Sequence, residues 1–132
     1  MRTKHALTAD DAHKMMAACK AEAAKNNWKV TIAILDDSGA LLLLERLDGA
    51  GPMSAEVAIG KGRTAAMSGR PSKFFEDRVK ERPAFITYPA AVMFQGGLPI
   101  IHQGQCVGGI GVSGVQSHED EQVAKAGVDA LS

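Results

Sequence analysis

Three observations predict an α/β fold built on an antiparallel sheet. An apolar stripe of helical period opens the chain, two separate pairs of strand-like runs follow, and neither alternating strand–helix–strand units nor a nucleotide-binding glycine fingerprint appears. With 132 residues, 45% of them hydrophobic, there is material for one domain spanning 1–132 and not for two. Alanine and glycine are abundant while aromatics make up only 5%, so a lone chain has a thin core and is expected to associate with further copies of itself.

Thr8-Ala9-Asp10-Asp11 signals the first helix: a Thr hydroxyl accepts from the third backbone N–H, Asp11 reaches back, and both carboxylates suit the positive end of the helix. Ala12, Met15, Met16, Cys19 and Ala23 continue at helical spacing, and Asn26-Asn27 offers a left-handed stop. From Trp28 the period falls to two, with Val30, Ile32 and Ile34 on one face. A turn at Asp36-Asp37-Ser38-Gly39 then leads into a second run, Ala40 to Arg46, giving a hairpin. Leu41 to Leu44 is apolar on both faces, so this strand is expected to be central or covered on both sides, with helices above and below.

Gly49-Ala50-Gly51-Pro52 breaks the strand, and Ser54 is the natural N-cap of a helix to about Ser68. Arg70-Pro71-Ser72 opens a short helix to about Lys80. Residues 81–97, with Pro83, Pro89 and Gly96-Gly97, read mainly as a loop, and one this long in a compact domain points to function. Leu98 to His102 and Gln105 to Val112 form a second hairpin about Gln103-Gly104, and Ser117-His118-Glu119-Asp120 caps a final helix ending near Leu131.

Lys plus Arg equals Asp plus Glu at 15 each, which supplies no general attraction to nucleic acid or to acidic membranes. No apolar run nears the roughly 20 residues that span a bilayer, so a cytoplasmic location is expected. Cys19 and Cys106 lie far apart among apolar residues and read as reduced core thiols.

Six segments together resemble the GlcG/HbpS-like family across nearly the whole chain. They are Leu7-Thr8; Val30 to Gly39 with its following leucines; Arg46-Leu47-Asp48-Gly49-Ala50; Ser54 with Lys61 and Thr64-Ala65-Ala66; Gly96-Gly97-Leu98-Pro99-Ile100; and Gly108 to Gly114. The resemblance implies a profilin-like α+β fold, a five-stranded antiparallel sheet between helical layers, and assembly into dimers or octamers. For function it implies haem as a possible ligand, since relatives of this kind bind haem and some are described as degrading it; others accompany catabolic enzymes without a settled activity.

Arg46 and Asp48 stand where a strand gives way to a glycine-containing loop, so their side chains project toward a cleft. Arg46 serves either as a bidentate carboxylate clamp or in an ion pair with Asp48 or Asp36 that fixes the loop. Lys61 is flanked by Gly60 and Gly62, each costing roughly 1 kcal/mol against alanine inside a helix. Either a flat ligand approaches there and meets the Lys61 ammonium, or the helix packs closely and Lys61 snorkels to solvent. Gly96 and Gly97 present free amides as an anion concavity, or form a plain turn.

The stretch Arg82 to Pro89, with Phe85 and the sole tyrosine, has the composition of a lid over a planar apolar ligand or of a satellite cluster under a loop. Among four histidines no HxxxH, HxH or CxxC pair occurs, which gives no support to a closed zinc site. His13 is the candidate haem-iron ligand, being on the flank of the first helix; the resemblance adds that a related haem-binding domain uses a histidine in that helix.

Three readings follow. The first is a binding protein for haem or another planar carboxylate-bearing ligand in a pocket near a subunit interface, with Arg46 and Lys61 facing one hollow. The second is an enzyme acting on a small carboxylate with Lys61 or Asp48 as acid or base, and the third an assembly subunit whose glycines serve packing alone.

Overall fold

The computed structural model describes residues 1–89 and 92–131. The first helix, α1 (Ala9–Lys25), begins as expected: Thr8 Oγ1 accepts from the Asp11 amide at 3.1 Å and Asp11 Oδ2 accepts from the Thr8 amide at 2.9 Å. It ends at Asn26, with Asn27 in the left-handed region at φ 57°. Strands β1 (Thr31–Asp36) and β2 (Leu41–Arg46) form the first hairpin, and β3 (Gly97–His102) with β4 (Gln105–Ser113) the second. Between them lie α2 (Ser54–Ser68), α3 (Ser72–Glu81) and a 3-10 turn at Pro83–Thr87; α4 (Ser117–Leu131) closes the chain.

β1 pairs antiparallel with both β2 and β4, so the sheet order is β2-β1-β4-β3. The expectation of five strands is corrected to four among the described residues. The stretch between α3 and β3 carries Pro83 and Pro89, which have no N–H for a ladder, and its first part coils into the 3-10 turn instead. Positions 90 and 91 of the expected loop lie outside the described residues.

The placing of β2 is a second correction: it is an edge strand, not a central one. Leu43 packs into the α1–α4 core and Leu44 into the α2 core, while Leu41 and Leu42 stay 45% and 41% exposed. Helices do cover both faces of the sheet. Ile32, Ile34, Ile110 and Val112 meet α1 and α4 through Met15, Met16, Cys19 and Val123; Ala33 and Leu35 face α2 through Ala58.

Glycines let α2 lie directly on β4. A Cβ at Gly111 would stand on the Ala58 carbonyl and the Gly62 amide, and one at Gly109 on the Gly62 carbonyl. Gly62 therefore serves helix-on-sheet approach, one of its two expected roles.

Two expected caps are relocated. Ser54 is the first helical residue rather than the cap, and its hydroxyl is shared between the Gly51 carbonyl and Thr31 Oγ1 at 2.7 Å. At α4 the cap falls on Gln116, whose amide donates to Glu119 Oε1 at 3.1 Å and whose carbonyl accepts from Glu119 and Asp120. Both cysteines are free. Cys19 is fully buried and burial pushes its thiol up to about 12, whereas Cys106 is only half-buried.

Candidate functional site

Helix α3 carries Phe74 and Phe75 one turn after Pro71, and the 3-10 turn folds Phe85 and Tyr88 back against them. The rings meet edge to face in series, with centroid separations of 5.3 Å for Phe74–Phe75, 5.6 Å for Phe75–Tyr88 and 5.1 Å for Phe85–Tyr88. Only Phe75 is buried; it anchors the group, and Tyr88 remains 52% exposed.

Three guanidinium groups lie over these rings. Arg70 and Arg78, four residues to either side of Phe74 in the chain, stand 4.2 and 4.8 Å from its centroid, and Arg82 stands 5.9 Å from that of Phe85. Arg78 also meets Glu81 at 3.4 Å.

Tyr88 separates two hollows. One, of about 250 Å³, is lined by Arg82, Ala84, Phe85, Thr87 and Tyr88; the other, of about 330 Å³, by Thr64, Met67, Ser68, Tyr88 and Pro89. Aromatic walls beside a guanidinium offer face and edge contacts to a planar apolar body and two parallel N–H donors to a carboxylate. No partner for the Tyr88 hydroxyl occurs among the described residues. Together with the Met67 thioether it is an iron-competent donor, since both side-chain types serve as axial haem ligands.

Arg46 and Lys61 do not share this hollow, nor each other's surroundings. Arg46 is exposed at the end of the edge strand and its Nε donates to the Ala50 carbonyl at 3.0 Å, fixing the following loop. Asp48 is exposed beyond it, beside a separate depression with Lys20, Trp28 and Lys29.

Lys61 is only 3% exposed and snorkels nowhere: its ammonium donates to the Val112 carbonyl and to Asp120 Oδ2, each at 3.0 Å. Asp120 is 2% exposed and its Oδ1 accepts from the Val115 amide at 3.1 Å. Burial raises the Asp120 carboxyl and the Lys61 charge opposes that rise. Lys61 is thus a buried cation joining α2, β4 and α4, and of the two expected acid–base candidates, Lys61 or Asp48, neither lines a Tyr88 hollow.

Gly96 and Gly97 form no open anion concavity. The Gly97 amide donates to Ser72 Oγ at 2.9 Å, the Gly96 carbonyl accepts from Val112, and a Cβ on Gly96 would stand 2.8 Å from Lys61 Nζ. These glycines close the loop over the buried ion pair.

His13 is exposed on α1 with Nδ1 2.8 Å from the Ala9 carbonyl, across the sheet from the Tyr88 hollows. No group of three or more metal-ligating side chains is gathered among the described residues. No described helix is long and apolar enough to cross a membrane.

Residues 7–129 match the family model described as haem degrading protein HbpS-like. The chain belongs to the HbpS-like family. It is 43% identical over 114 residues to the protein GlcG of Escherichia coli (strain K12), covering 86% of this chain and 85% of that one. Its fold superposes on a double mutant of HbpS from Streptomyces reticuli with a TM-score of 0.93, at 34% identity, covering 100% of this chain and 91% of the other. It also superposes on the PduOC:Heme complex with a TM-score of 0.87, at 25% identity, covering 96% and 95%. The α+β architecture, with four antiparallel strands and four α-helices among the described residues, matches the HbpS fold.

Of the expected site residues, only Phe85 lines a Tyr88 hollow. The sequence reading missed the Thr64–Met67–Ser68 wall and the Arg70–Phe74–Arg78 stack. The stack was visible as charged and aromatic residues four apart on one helix face; the wall depends on how α2 meets the 3-10 turn. Asp120 gave no local signal as the partner of Lys61, which lies 59 positions earlier.

Proposed function

We propose that this protein binds a planar, carboxylate-bearing ligand of the haem type in the hollows either side of Tyr88. The observation that carries the reading is the hollow of about 250 Å³ in which Arg82 lies beside Phe85 and Tyr88. The neighbouring hollow of about 330 Å³ brings the combined space into the range of pockets for sizeable organic ligands, roughly 300–1,000 Å³. Arg82 takes a carboxylate, the rings of Phe85 and Tyr88 take the macrocycle, and Tyr88 or Met67 supplies an iron donor. Bound haem would bring redox-active iron to this surface. Family membership and the likeness to a haem complex support the choice of ligand class.

His13 stands across the sheet within one chain, so its part as an iron ligand belongs to an assembly in which a second copy presents it. The same proposal includes homo-oligomers, dimers or octamers. The edge strand β2 leaves one side of its ladder open and exposes Leu41 and Leu42, surface that a second copy covers.

Titration of the purified protein with hemin tests the reading. A saturable Soret band is expected, weakened at least tenfold in Arg82→Ala, with Tyr88→Phe changing the charge-transfer bands if the phenol ligates iron. Loss of ligation in His13→Ala instead would transfer the iron to α1. No saturable spectral change in the wild-type protein would eliminate the proposal.

A further inference from the structure

On the α1–α4 side of the sheet, away from Tyr88, a hollow of about 190 Å³ is bordered by His5, Asp11 and His102 over an apolar floor of Leu7, Val107 and Leu131. His102 ends β3. His5 is brought opposite it by the segment preceding α1, which is tied down at two places. The His5 amide donates to Gln105 Oε1 at 3.4 Å while Gln105 Nε2 donates to the His5 carbonyl at 3.2 Å, and Lys4 pairs with Asp37 at 2.7 Å.

The two imidazole rings meet with centroids 4.8 Å apart and planes at 86°. Their ring nitrogens have no hydrogen-bond partner among the described residues. A metal-to-nitrogen distance of about 2.0–2.1 Å places an imidazole centroid roughly 3.2 Å from the ion. Two imidazoles subtending roughly 90–109° at one ion then have centroids roughly 4.5–5.2 Å apart. The observed separation falls inside that interval, and unpaired ring nitrogens are what a ligand pair needs.

We propose that His5 and His102 form an open two-imidazole site for a divalent ion of the later first transition series, Cu(II), Ni(II) or Zn(II). Imidazole suits these ions, and affinity is greatest for copper in the usual order. Water completes the coordination shell, and the Asp11 carboxylate, bordering the same hollow, offsets the positive charge. The Asp11 oxygen Oδ2 stays with the Thr8 amide, so the cap of α1 is retained. The site is independent of the haem reading, since it uses none of the residues around Tyr88.

The test uses the full chain, free of affinity tag and stripped of metal, titrated with Cu(II) and followed by low-temperature electron paramagnetic resonance. One equivalent bound with superhyperfine structure from two imidazole nitrogens is expected. His5→Ala and His102→Ala should each reduce the nitrogen count to one and weaken binding at least tenfold, with the thermal melt of the metal-free protein unchanged. Zn(II) should compete with copper at the same stoichiometry. Absence of binding by the wild type overturns the proposal. So does an unchanged nitrogen count in both variants, which would assign the copper to the amino terminus, His13 or His118.

Discussion

Lys61→Met should destabilise the protein by about 3–5 kcal/mol at neutral pH, the usual cost of removing one partner from a buried ion pair. The structure gives the reason for so large a figure. The Lys61 and Asp120 side chains are 4% and 3% exposed, and at 3.0 Å with an effective dielectric of about 20 their attraction is roughly 5–6 kcal/mol. Methionine nearly matches lysine in length, so little cavity arises; the loss is the ammonium with its two bonds, to Asp120 and to Val112. Asp120 then keeps only the Val115 amide for a buried negative charge.

Burial already raises the Asp120 carboxyl, and without Lys61 it rises further. For a carboxyl raised in the folded state, stability is fully present below the unfolded value near 3.9 and is lost as pH climbs through the folded value. The deficit of Lys61→Met should therefore be small near pH 4 and grow toward pH 7. Urea unfolding at fixed protein concentration, repeated across that range, measures it. Asp120→Asn added to Lys61→Met should recover a substantial part of the loss, because no uncompensated charge is left. A deficit below about 1 kcal/mol, or one independent of pH, would refute the assignment of Lys61 as a structural cation, since a cost of 3–5 kcal/mol is what breaking a buried pair entails.

Two further outcomes follow from packing and from the first hairpin. Gly111→Ala puts a methyl group against the Ala58 carbonyl and the Gly62 amide, and overpacking of this kind costs typically 1–3 kcal/mol or more; an unchanged melting temperature would show that α2 does not lie on β4 as described. Asp36 accepts from the Ser38 hydroxyl and amide and from the Ala40 amide at 2.7, 2.9 and 3.0 Å, and the Ser38 hydroxyl is the foremost cause holding its carboxyl below the usual range. Its contribution is present above the unfolded value of about 3.9 and lost as pH falls through the folded one. Asp36→Ala should cost about 1 kcal/mol near pH 7, and its melting-temperature gap to the wild type should begin to close only as pH falls below about 4, vanishing beneath the depressed folded value. Parallel curves across the range would remove Asp36 from that role.

The sequence by itself determined what local chemistry decides. The Thr8–Asp11 capping box, the Asn27 stop, the period-two run Val30, Ile32 and Ile34, the Gln103-Gly104 turn of the second hairpin and the helical stripe from Ala12 to Ala23 are read from neighbours a few residues apart, and the structure places each where its local signal lay. The segment from Arg82 to Tyr88 was also marked, by proline and aromatic composition.

Tertiary structure alone decided what depends on distant partners. Nothing within Leu41–Arg46 says that β1 takes β4 as its second neighbour and leaves β2 at the edge. Nothing around Lys61 says that a carboxylate 59 positions later meets its ammonium in the core, turning an apparent ligand contact into a buried pair. Hydrophobic period fixes which face of an element is buried, but not the element it is buried against; electrostatic partners across the sheet are set by the packing of α2 and α4 on β4, which no local pattern encodes.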